Sequence, residues 1–531
     1  MSNWRTRSLL APLAAVCLLV FLDGCTTQPP VQIEAQPDET VITLLFTNDV
    51  ESAYDPTPAF WRNDMRRIGG IAEMATLIRQ IRAREPNVFL LDAGDIYTGT
   101  LAKLTKGEIS FELMMTMGYD AISIGNHEFE YGWQELARQK DRVPFPVLAA
   151  NLFYKGTDFP FAQAYTIIER DGVRIGVIGV LGQDAANALI PSNIAGLEVR
   201  DPIPAVRRHV AMLKGDVDLI VVLTHQGKTA PMQTDDEADT SVQRGNEENL
   251  ALAGAVAGID VIFGGHTDAG TREPIEHPET GTLIMQTFGQ GQHLGQLQVV
   301  IDNQTRAIRD ASGRLIPIDS DRFTPDATVA GKLRDYRARF PEIYATRGST
   351  KGILTRRYYQ ESDLGNLFAD ILRDSTEANI GLMPSGALRK DLPEGDVRLV
   401  DLADAFPFED RVATLKVSGA VLTEILEQGA SLERGLLQVS GLTVRYRPDA
   451  PIGQRIEGVI INGEPLDRDQ QYTVSTLEIL AQGGDEYTQF RKATDIDMSN
   501  YQYLQVVERY FLKNSPVDVP VRERYQIVDE D

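Results

Sequence analysis

Cysteine is almost absent from this chain, with two in 531 residues. Cys17 lies in an N-terminal apolar stretch that we expect to be removed, so a disulfide framework is excluded for the remainder. Lysine and arginine number 52 against 76 aspartates and glutamates, which leaves a formal net charge of −24. A chain without a broad basic face is a poor partner for a nucleic-acid polymer. Small phosphorylated ligands are still compatible if metal ions or a few focused basic residues receive them.

Apolar runs long enough to span a bilayer are also missing beyond residue 25. Before that point, Arg5 and Arg7 precede an apolar run over 9–22, which is the pattern of a secretory signal peptide. The run ends in a segment that resembles the lipobox of bacterial lipoproteins, and this predicts lipidation at Cys25. We therefore expect a protein anchored by lipid on the periplasmic side of a bacterial cell envelope. Cleavage without lipidation, giving a soluble periplasmic protein, is the alternative.

The length of the chain exceeds the roughly 250–300 residues at which one hydrophobic core stops growing, so at least two domains are expected. After the signal peptide over 1–25, residues 26–40 are polar and contain proline, as in a tether. We predict a first domain over 41–320, a connecting helical segment over 321–350 and a second, mixed domain over 351–531.

The first domain alternates short β-branched or leucine-rich runs with polar turns, a pattern typical of an α/β fold. Between the first two runs, apolar residues at 71, 74, 78 and 81 recur at helical spacing, which predicts a helix packed on a central sheet. In the second domain, helical patterns occur near 364–372 and 421–428. The strand-like runs of the first domain cover 41–46, 88–91, 121–124, 174–180, 219–223 and 261–263.

Potential metal ligands follow five of these runs. Because the carboxyl ends of strands in an α/β sheet face one crevice, we expect these side chains to converge. Carboxylates, an amide oxygen and imidazoles are the ligands of paired divalent ions, which form a clamp suited to phosphate-ester cleavage. Each turn alone is also compatible with an ordinary solvated loop. The candidates are Asp49 and Glu51, then Asp95, then Asn126, His127 and Glu130, then His225, and finally His266 and Asp268.

The order of the motifs Asp-x-x, Gly-Asp, Gly-Asn-His-Glu, Thr-His-x-Gly and Gly-Gly-His resembles that of calcineurin-like metallophosphoesterases. Within this superfamily the chain is similar to the 5'-nucleotidase and UDP-sugar hydrolase family over most of its length. The resemblance implies a four-layer α-β-β-α metallophosphoesterase domain. It also implies a connecting helix and a mixed α/β 5'-nucleotidase C-terminal domain that binds the substrate.

The same resemblance implies a role for each ligand candidate. Asp95 bridges two divalent ions, and His127 stabilises the transition state or protonates the leaving oxygen, oriented by Glu130. The remaining candidates divide into one set of three for each ion. Asn126, His225 and His266 hold one ion, and Asp49, Glu51 and Asp268 hold the other.

Two of these positions depart from the family, which usually has histidine at 51 and glutamine or histidine at 268. Glu51 and Asp268 change the formal charge of the site from about +1 to about −1 when the ions are counted as the main local charges. We therefore predict that the first site prefers Mn, Mg or Fe over Zn, whereas the second accepts Zn or Mn. A weakened first site in a slow or inactive protein is the alternative. Glu130 stands where the family usually has aspartate, which keeps the carboxylate.

Three segments of the second domain resemble substrate-binding segments of the family. PSGALRKDLP contributes Arg389, whose guanidinium can donate two parallel hydrogen bonds to a phosphate or carboxylate. FPFEDR contributes Phe408 and GGDEY contributes Tyr487, and two facing rings can hold a base between them. Each ring taken alone is also compatible with a place in the core.

A fourth segment, SDLGNL, resembles the start of a family helix, where Asn366 is either a structural cap or a ligand contact. Just before it, Gln360 replaces a phosphate-binding arginine of the family. Arg356 and Arg357 lie close enough in sequence to be considered as substitutes. The loss of this arginine and the negative metal site argue against a strongly bound, highly charged terminal phosphate.

These observations predict an exported dinuclear-metal phosphohydrolase that releases phosphate from nucleotides and serves nucleotide catabolism and salvage. The substrate is then a nucleoside monophosphate bound weakly, a cyclic or diester nucleotide, or a compound outside the nucleotides. Two other functions stay open. One is a thiosulfohydrolase of the same superfamily, and the other is a non-catalytic lipoprotein that binds a nucleotide or another partner.

Overall fold

The computed structural model describes residues 36–528 apart from 60, 188, 190, 228–244, 485–486 and 521–522. The predicted signal peptide, the predicted lipidation site Cys25 and most of the predicted tether lie outside the described residues. Within the described part of the chain, every helix is too short or too polar to cross a membrane.

The first domain begins with a long central strand, and its helices fall between the strands. Its strands are β1 Glu39–Thr47, β2 Thr57–Pro58, β3 Arg67–Ile68, β4 Val88–Asp92, β5 Ala121–Ser123, β6 Val147–Leu148, β7 Leu152–Tyr154, β8 Tyr165–Arg170, β9 Val173–Leu181, β10 Leu197–Val199, β11 Leu219–His225, β12 Val261–Gly265, β13 Ile275–Glu276, β14 Leu283–Met285, β15 His293–Asp302 and β16 Ile308–Pro317. Its helices are α1 Ile71–Arg82, α2 Gly99–Thr105, α3 Glu108–Met117, α4 Trp133–Lys140, α5 Gln183–Asn187, α6 Pro202–Leu213 and α7 Glu247–Ala255, with short 3-10 turns at His127–Phe129 and Pro191–Asn193.

Two six-stranded mixed sheets form the centre of this domain. The first has the order β16-β15-β1-β4-β5-β6, with β1, β4, β5 and β6 parallel. The second has the order β13-β14-β12-β11-β9-β8, with β9, β11, β12 and β14 parallel. The strand-like runs of the sequence lie in β1, β4, β5, β9, β11 and β12. Parallel strands of both sheets therefore deliver their carboxyl-end loops to the site.

The two sheets pack face to face, and helices cover their outer faces. Phe46 of β1 stacks on Phe263 of β12 with ring centroids 4.1 Å apart, in the apolar layer between the sheets. Helices α1 and α3 pack on the outer face of the first sheet, and α6 and α7 on that of the second. The predicted four-layer α-β-β-α arrangement is confirmed. Its apolar layers bury both faces of the parallel strands, which explains their continuous hydrophobic runs.

A helix and a 3-10 turn lead from the first domain to the second. Helix α8, Ala327–Ala338, begins after Asp326, whose side chain accepts the N–H groups of Thr328 and Val329. Val329, Leu333 and Tyr336 on this helix belong to the core of the first domain. The 3-10 turn Pro341–Tyr344 follows. Helix α8 is thus attached to the first domain, and the change of domain comes after it.

The second domain is mixed α/β, as predicted. Its strands are β17 Thr346–Thr350, β18 Ile380–Pro384, β19 Gly395–Arg398, β20 Arg411–Ser418, β21 Leu437–Ser440, β22 Leu442–Tyr446, β23 Ile456–Ile461, β24 Glu464–Pro465, β25 Gln471–Leu477, β26 Thr494–Gln502 and β27 Tyr525–Ile527. Its helices are α9 Asp363–Thr376, α10 Leu399–Ala405, α11 Gly419–Ala430, α12 Glu478–Ala481 and α13 Tyr503–Asn514, with 3-10 turns at Ser385–Ala387 and Thr488–Lys492. A five-stranded sheet has the order β21-β18-β25-β20-β26, and a four-stranded sheet has the order β24-β23-β22-β27.

Direct contacts join the two domains beside the strand-end loops. The N–H of Thr100, in the first turn of α2, donates to Asp404 Oδ1 of α10 at 3.1 Å. Lys103 of α2 forms an ion pair with Glu409. Glu409 directly follows Phe408, so this contact brings a predicted substrate-binding segment to the edge of the first domain.

Candidate active site

The carboxyl ends of strands from both sheets meet, and the sequence-predicted metal ligands lie in the loops there. His225 is the last residue of β11, and His266 follows β12 directly. Asp95 lies three residues after β4. His225 Nε2 lies 3.0 Å from Asp95 Oδ2, so a ligand candidate of the second sheet contacts one of the first. The site is therefore formed between the two sheets, at the edge where their parallel strands end.

Asp95, His225 and His266 form one compact group of potential ligand atoms, all within 4.8 Å of one another. His225 Nδ1 lies 2.9 Å from the backbone oxygen of Ala93, which can only accept a hydrogen bond, so Nδ1 carries a proton. Nε2 faces Asp95 Oδ2 and Asn126 Oδ1, the latter at 3.2 Å. Burial lowers the pKa of His225, but the charge of Asp95 raises it to about 9, so without a metal ion the ring is charged, and a divalent ion bound at Nε2 would displace the proton there. An imidazole oriented by a backbone carbonyl, with its other nitrogen facing oxygen ligands, is the usual arrangement in metal sites.

His266 is ready to donate a lone pair. Burial, assisted by the charge of the neighbouring His225, lowers the pKa of His266 to about 3. The imidazole is therefore neutral at physiological pH. Its Nε2 is buried and makes no hydrogen bond with any residue that the structure describes. A neutral, buried imidazole with an unused nitrogen is what a divalent ion requires.

Glu51, Asp95 and His127 form a second compact group by the same measure. His127 Nδ1 lies 2.5 Å from Glu130 Oε1, and Nε2 lies 3.4 Å from Glu51 Oε1. Burial by itself lowers the pKa of His127, but the charges of Asp95, Glu130 and Glu51 raise it well above its usual value. The ring is thus held by Glu130 on one side, and its other nitrogen points into the carboxylate cluster.

Asp49 and Asp268 complete this cluster of acids. The Asp49 carboxylate accepts the N–H of His266, with Oδ2 at 2.9 Å, and the side chain of Asn48 at 2.7 Å. Burial raises the pKa of Asp49 to about 7, against the charge of His225 and with that of Asp95. Burial raises the pKa of Asp268 well above its usual value, and the charges of Asp49 and Glu51 add to this shift. Repulsion among these acids favours a cation between them.

The residues present fit divalent metal ions. Glu51 and Asp95 share the two compact groups with His127, His225 and His266, and the buried Asp49 and Asp268 lie outside these groups but close enough for the charge of Asp49 to act on Asp268. Besides His266 Nε2, the buried Asp268 Oδ1 has no hydrogen-bond partner among the described residues. Unpaired buried polar atoms are costly, and coordination to a metal ion would satisfy both. The cluster of histidine and acidic residues in a phosphoesterase-like fold implies divalent metal ions.

The backbone of the site is strained. Five of the seven predicted metal ligands have a left-handed φ between 47° and 77°, a region that residues with a Cβ rarely adopt. Such conformations cluster at functional sites because the surrounding structure enforces them. Gly265 permits the close approach of the loops, since a Cβ there would lie 2.8 Å from the oxygen of Ala93. The five strained residues are Asp49, Glu51, Asp95, His266 and Asp268.

The charges of two arginines of the second domain act on this cluster. Burial raises the pKa of Glu51, and the charge of Arg389 opposes that rise. The charge of Arg356 likewise opposes the rise at Asp268. Arg356 and Arg389 therefore offset a small part of the charge of Asp268 and Glu51, the two carboxylates that depart from the family pattern. Gln360, where the family has an arginine, is exposed, and its backbone oxygen accepts a hydrogen bond from Gln438.

The other predicted substrate residues are not all brought together. Phe408 is partly exposed, and the guanidinium carbon of Arg389 lies 5.3 Å from its ring centre. Tyr487 is 1 % exposed and packs in a separate apolar cluster, with its ring 6.2 Å from that of Phe490. The structure thus pairs Arg389 with Phe408, whereas the Tyr487 ring lies in the core of the second domain.

Asn366 is fully buried in the first turn of α9, the helix whose start the segment SDLGNL was predicted to form. Ser362 caps α9, because its side chain accepts the N–H of Gly365. The Asn366 side chain donates to Glu361 Oε1 at 2.6 Å. Of the two roles considered for this residue, that of the helix cap belongs to Ser362.

Sequence reasoning missed several side chains that hold the site together. Asn48 supports Asp49, and Thr98 donates to Glu130 at 3.0 Å. Glu128, inside the Gly-Asn-His-Glu motif, is fully buried and accepts hydrogen bonds from two different loops. Their adjacency to ligand candidates was the only available signal, because the partners of these side chains come from distant loops.

Comparison with known proteins agrees with this geometry. The family model for calcineurin-like phosphoesterases matches residues 42–269, and that for the 5'-nucleotidase C-terminal domain matches residues 343–492. A 5'-nucleotidase of Vibrio cholerae is 27 % identical, over 96 % of this chain and 97 % of the relative. Protein UshA of Escherichia coli is 24 % identical, over 95 % of this chain and 97 % of the relative.

The fold is likewise similar to solved structures. The crystal structure of a 5'-nucleotidase precursor from Thermus thermophilus superposes with a TM-score of 0.75 at 24 % identity. The match covers 93 % of this chain and 100 % of the crystallised one. The fold of both domains is therefore shared with that protein.

Proposed function

Because the chain belongs to the metallophosphoesterase and 5'-nucleotidase hydrolase family, as its motifs predicted, we propose that it is an exported enzyme that releases phosphate from nucleotides. The observation that carries this proposal is the convergence of Asp95, His225 and His266 with Glu51 and His127. The charge of Arg389, from the second domain, acts on Glu51 in this group. At this position a phosphate ester could be bound both by metal ions held in the cluster and by the guanidinium of Arg389.

The site is proposed to hold two divalent ions. Asp95 would contact both, with Asn126, His225 and His266 on one and Asp49, Glu51 and Asp268 on the other. When bound, such a pair activates a water molecule as the nucleophile and neutralises charge on the phosphoryl oxygens. The carboxylates at 51 and 268 favour Mn, Mg or Fe at the first position, and Zn or Mn fits the second.

His127 is proposed to act on the leaving oxygen. Glu130 holds Nδ1 at 2.5 Å, so the proton available for the substrate is on Nε2, which points toward the carboxylate cluster. A positioned imidazolium stabilises the negative charge that develops on the leaving oxygen, or donates its proton to it. Nε2 of His127 lies 3.9 Å from Asp95 Oδ2, so the ring lies beside the predicted metal ligands.

The second domain is proposed to select the substrate. Arg389 binds phosphate, and Phe408 stacks on the base, since the two side chains lie side by side. One base face on Phe408 gives affinity with little discrimination among bases. Nucleoside monophosphates, cyclic nucleotides and nucleotide diesters all present the phosphate and base that this pair can bind. Export and lipid anchoring at Cys25 on the periplasmic side belong to this proposal, and they rest on the N-terminal sequence.

The test is phosphate release from a panel of nucleoside mono-, di- and triphosphates, cyclic nucleotides and UDP-sugars. Protein stripped of metal is reconstituted separately with Mn, Mg, Fe and Zn. We expect turnover with Mn or Fe that exceeds turnover with Zn, and the panel identifies the substrate. A folded protein that binds nucleotide but releases no phosphate with any metal would contradict the proposal and favour a binding lipoprotein instead.

The metal preference has its own test. Protein purified without chelator is analysed for bound metal, and we expect Mn or Fe in at least one of two positions. Stoichiometric zinc at both positions would contradict the preference that we assign to Glu51 and Asp268.

A further inference from the structure

Glu128 is an acidic side chain that lies entirely inside the first domain, with 0 % exposure. Its Oε1 accepts the backbone N–H of Ile96 at 2.8 Å. Its Oε2 accepts those of Asp95 at 3.0 Å and Gly125 at 2.6 Å. Hydrogen bonds from three backbone N–H groups offset part of the cost of burying a carboxylate. Glu128 is therefore a satisfied buried acid whose partners are all backbone groups of the site.

These hydrogen bonds connect two different strand-end loops. Asp95 and Ile96 follow β4, whereas Gly125 follows β5 and precedes Asn126. A reciprocal bond runs in the other direction, because Asp95 Oδ1 accepts the N–H of His127 at 2.7 Å. A displacement of either loop would therefore move metal-ligand candidates on both.

The bond to Asp95 acts where the backbone is strained. Asp95 has a φ of 58°, in the left-handed region. Its N–H is fixed by Glu128, and its Oδ2 then lies 3.0 Å from His225 Nε2. Glu128 thus helps to enforce the conformation that directs the Asp95 carboxylate at the opposite sheet.

We propose that Glu128 is a positioning residue for the dinuclear metal site. Its carboxylate holds the Asp95 loop and the Asn126 loop at the separation that binds the ions, and it acts through these residues without contacting substrate. The inference rests on the proposed metal-dependent function. It goes beyond that function because it assigns metal affinity to a residue that is not a ligand.

Glu128 must accept hydrogen bonds at both terminal oxygens, because all three of its partners are backbone N–H donors. Glutamine has nearly the same shape, but one of its terminal atoms is an NH₂ group, which cannot accept a backbone N–H. Glu128→Gln therefore leaves at least one buried N–H unpaired between the loops. Loss of a group that orients metal ligands typically weakens metal affinity about 10- to 100-fold.

The experiment titrates Mn²⁺ into the metal-stripped full chain by isothermal titration calorimetry, for the wild type, Glu128→Gln and Asp260→Asn. Asp260 is the matched control, since it is a half-buried carboxylate that accepts the N–H of Ile220 at 2.7 Å. It precedes β12 and so lies at the strand end opposite the ligands. We expect about 10- to 100-fold weaker Mn²⁺ binding in Glu128→Gln and wild-type binding in Asp260→Asn.

A second readout separates positioning from stability. The electron paramagnetic resonance spectrum of the wild type with two Mn²⁺ per chain is expected to show a coupled pair, and Glu128→Gln is expected to show uncoupled ions. A purely structural role would lower the unfolding temperature of the metal-free protein and leave this spectrum unchanged, which would overturn the inference. If Glu128→Gln does not fold, Glu128→Asp is measured in the same way, because its shorter arm cannot reach both loops.

The outcomes distinguish this inference from the proposed function. Two Mn²⁺ bound by the wild type, with equal affinity in the folded Glu128 variant, would overturn the inference alone. A wild type that binds none of Mn²⁺, Mg²⁺, Fe²⁺ and Zn²⁺ would overturn both, and a wild type that binds another of these ions but not Mn²⁺ is compared with the two variants using that ion. Weakened binding confined to the Glu128 variant supports both.

Discussion

The two halves of the candidate site are built in different ways. In the first domain the polar side chains are largely buried, and backbone groups fix several of them, as Asp49 is fixed by the N–H of His266. In the second domain Arg389 and Phe408 are partly exposed and lie on loops. A buried, strained half suits ions that need a fixed geometry, and a partly exposed half suits ligands that enter and leave. The difference indicates that chemistry is fixed by the first domain and substrate choice by the second.

Removal of the Asp95 carboxylate is expected to have the largest effect on activity, because it disrupts the metal-binding half of the site. Asp95→Asn removes the charge of an acid that contacts His127 from the first sheet and His225 from the second, so we expect Mn²⁺ binding to weaken and phosphate release to be abolished. Calorimetry and phosphate release measure the two effects. Asp310→Asn, at an exposed position, is the control and should retain wild-type turnover. Undiminished turnover in Asp95→Asn would mean that the measured activity belongs to another site or to a contaminant.

Substitution of His127 is expected to have the next largest effect on activity. It lies near enough to Glu51 and Asp95 to be a metal ligand, yet we assign it to the leaving oxygen. His127→Gln should lower kcat by about 10² to 10⁴, the usual contribution of a general acid, and leave KM and the binding of two Mn²⁺ nearly unchanged. Loss of one bound Mn²⁺ in this variant would contradict the assignment and make His127 a ligand.

Arg389 tests the substrate half. Its guanidinium is expected to donate charged hydrogen bonds to phosphate, each of about 1.5–3 kcal/mol, so Arg389→Ala should lower kcat/KM about 10- to 100-fold. The thermal unfolding temperature and Mn²⁺ binding should stay close to those of the wild type. Arg445→Ala, which removes an exposed ion pair with Glu457, is the matched control and should not change kinetics. Equal kinetics in both variants would remove Arg389 from the substrate site.

Substitution of Phe408 or Tyr487 is expected to have the smallest effect on activity. The two variants distinguish a ring that contacts the substrate from a ring that stabilises the second domain. Phe408→Leu should weaken nucleotide binding by about 1–3 kcal/mol, the contribution of one base stacked on an aromatic ring, and leave the unfolding temperature unchanged. Tyr487→Leu should do the opposite, because its ring is buried against Phe490 and a smaller side chain leaves a cavity. Equilibrium nucleotide binding and thermal unfolding of both variants measure this difference. If Tyr487→Leu weakened binding at an unchanged unfolding temperature, the stacking role predicted from its motif would hold.

The metal-binding half of the site could be predicted from the sequence for a specific physical reason. Parallel strands deliver their carboxyl ends to one edge, so polar residues that follow strand-like runs can be placed together before any coordinates exist. Asp95, His225 and His266 meet in this way, although they are separated by 130 or more residues in two of three pairs. The substrate half has no comparable rule. Phe408 and Tyr487 were paired only by resemblance, and tertiary packing leaves Phe408 partly buried against one apolar cluster and puts Tyr487 inside another.

By itself, the sequence determined a central sheet flanked by helices in the first domain, a mixed second domain and the set of side chains at the strand ends. The order of its motifs carried the resemblance that implied the family and the four-layer arrangement. Hydrophobic periodicity and motif order are local properties of the chain, and they carry this information. Only the tertiary structure decided which side chains support the ligands, how Arg356 and Arg389 approach Asp268 and Glu51, and where each aromatic ring lies. Those features depend on contacts between distant loops. The role proposed for Glu128 also depends on the tertiary structure, because its three backbone partners come within hydrogen-bonding distance only when the two loops are folded side by side.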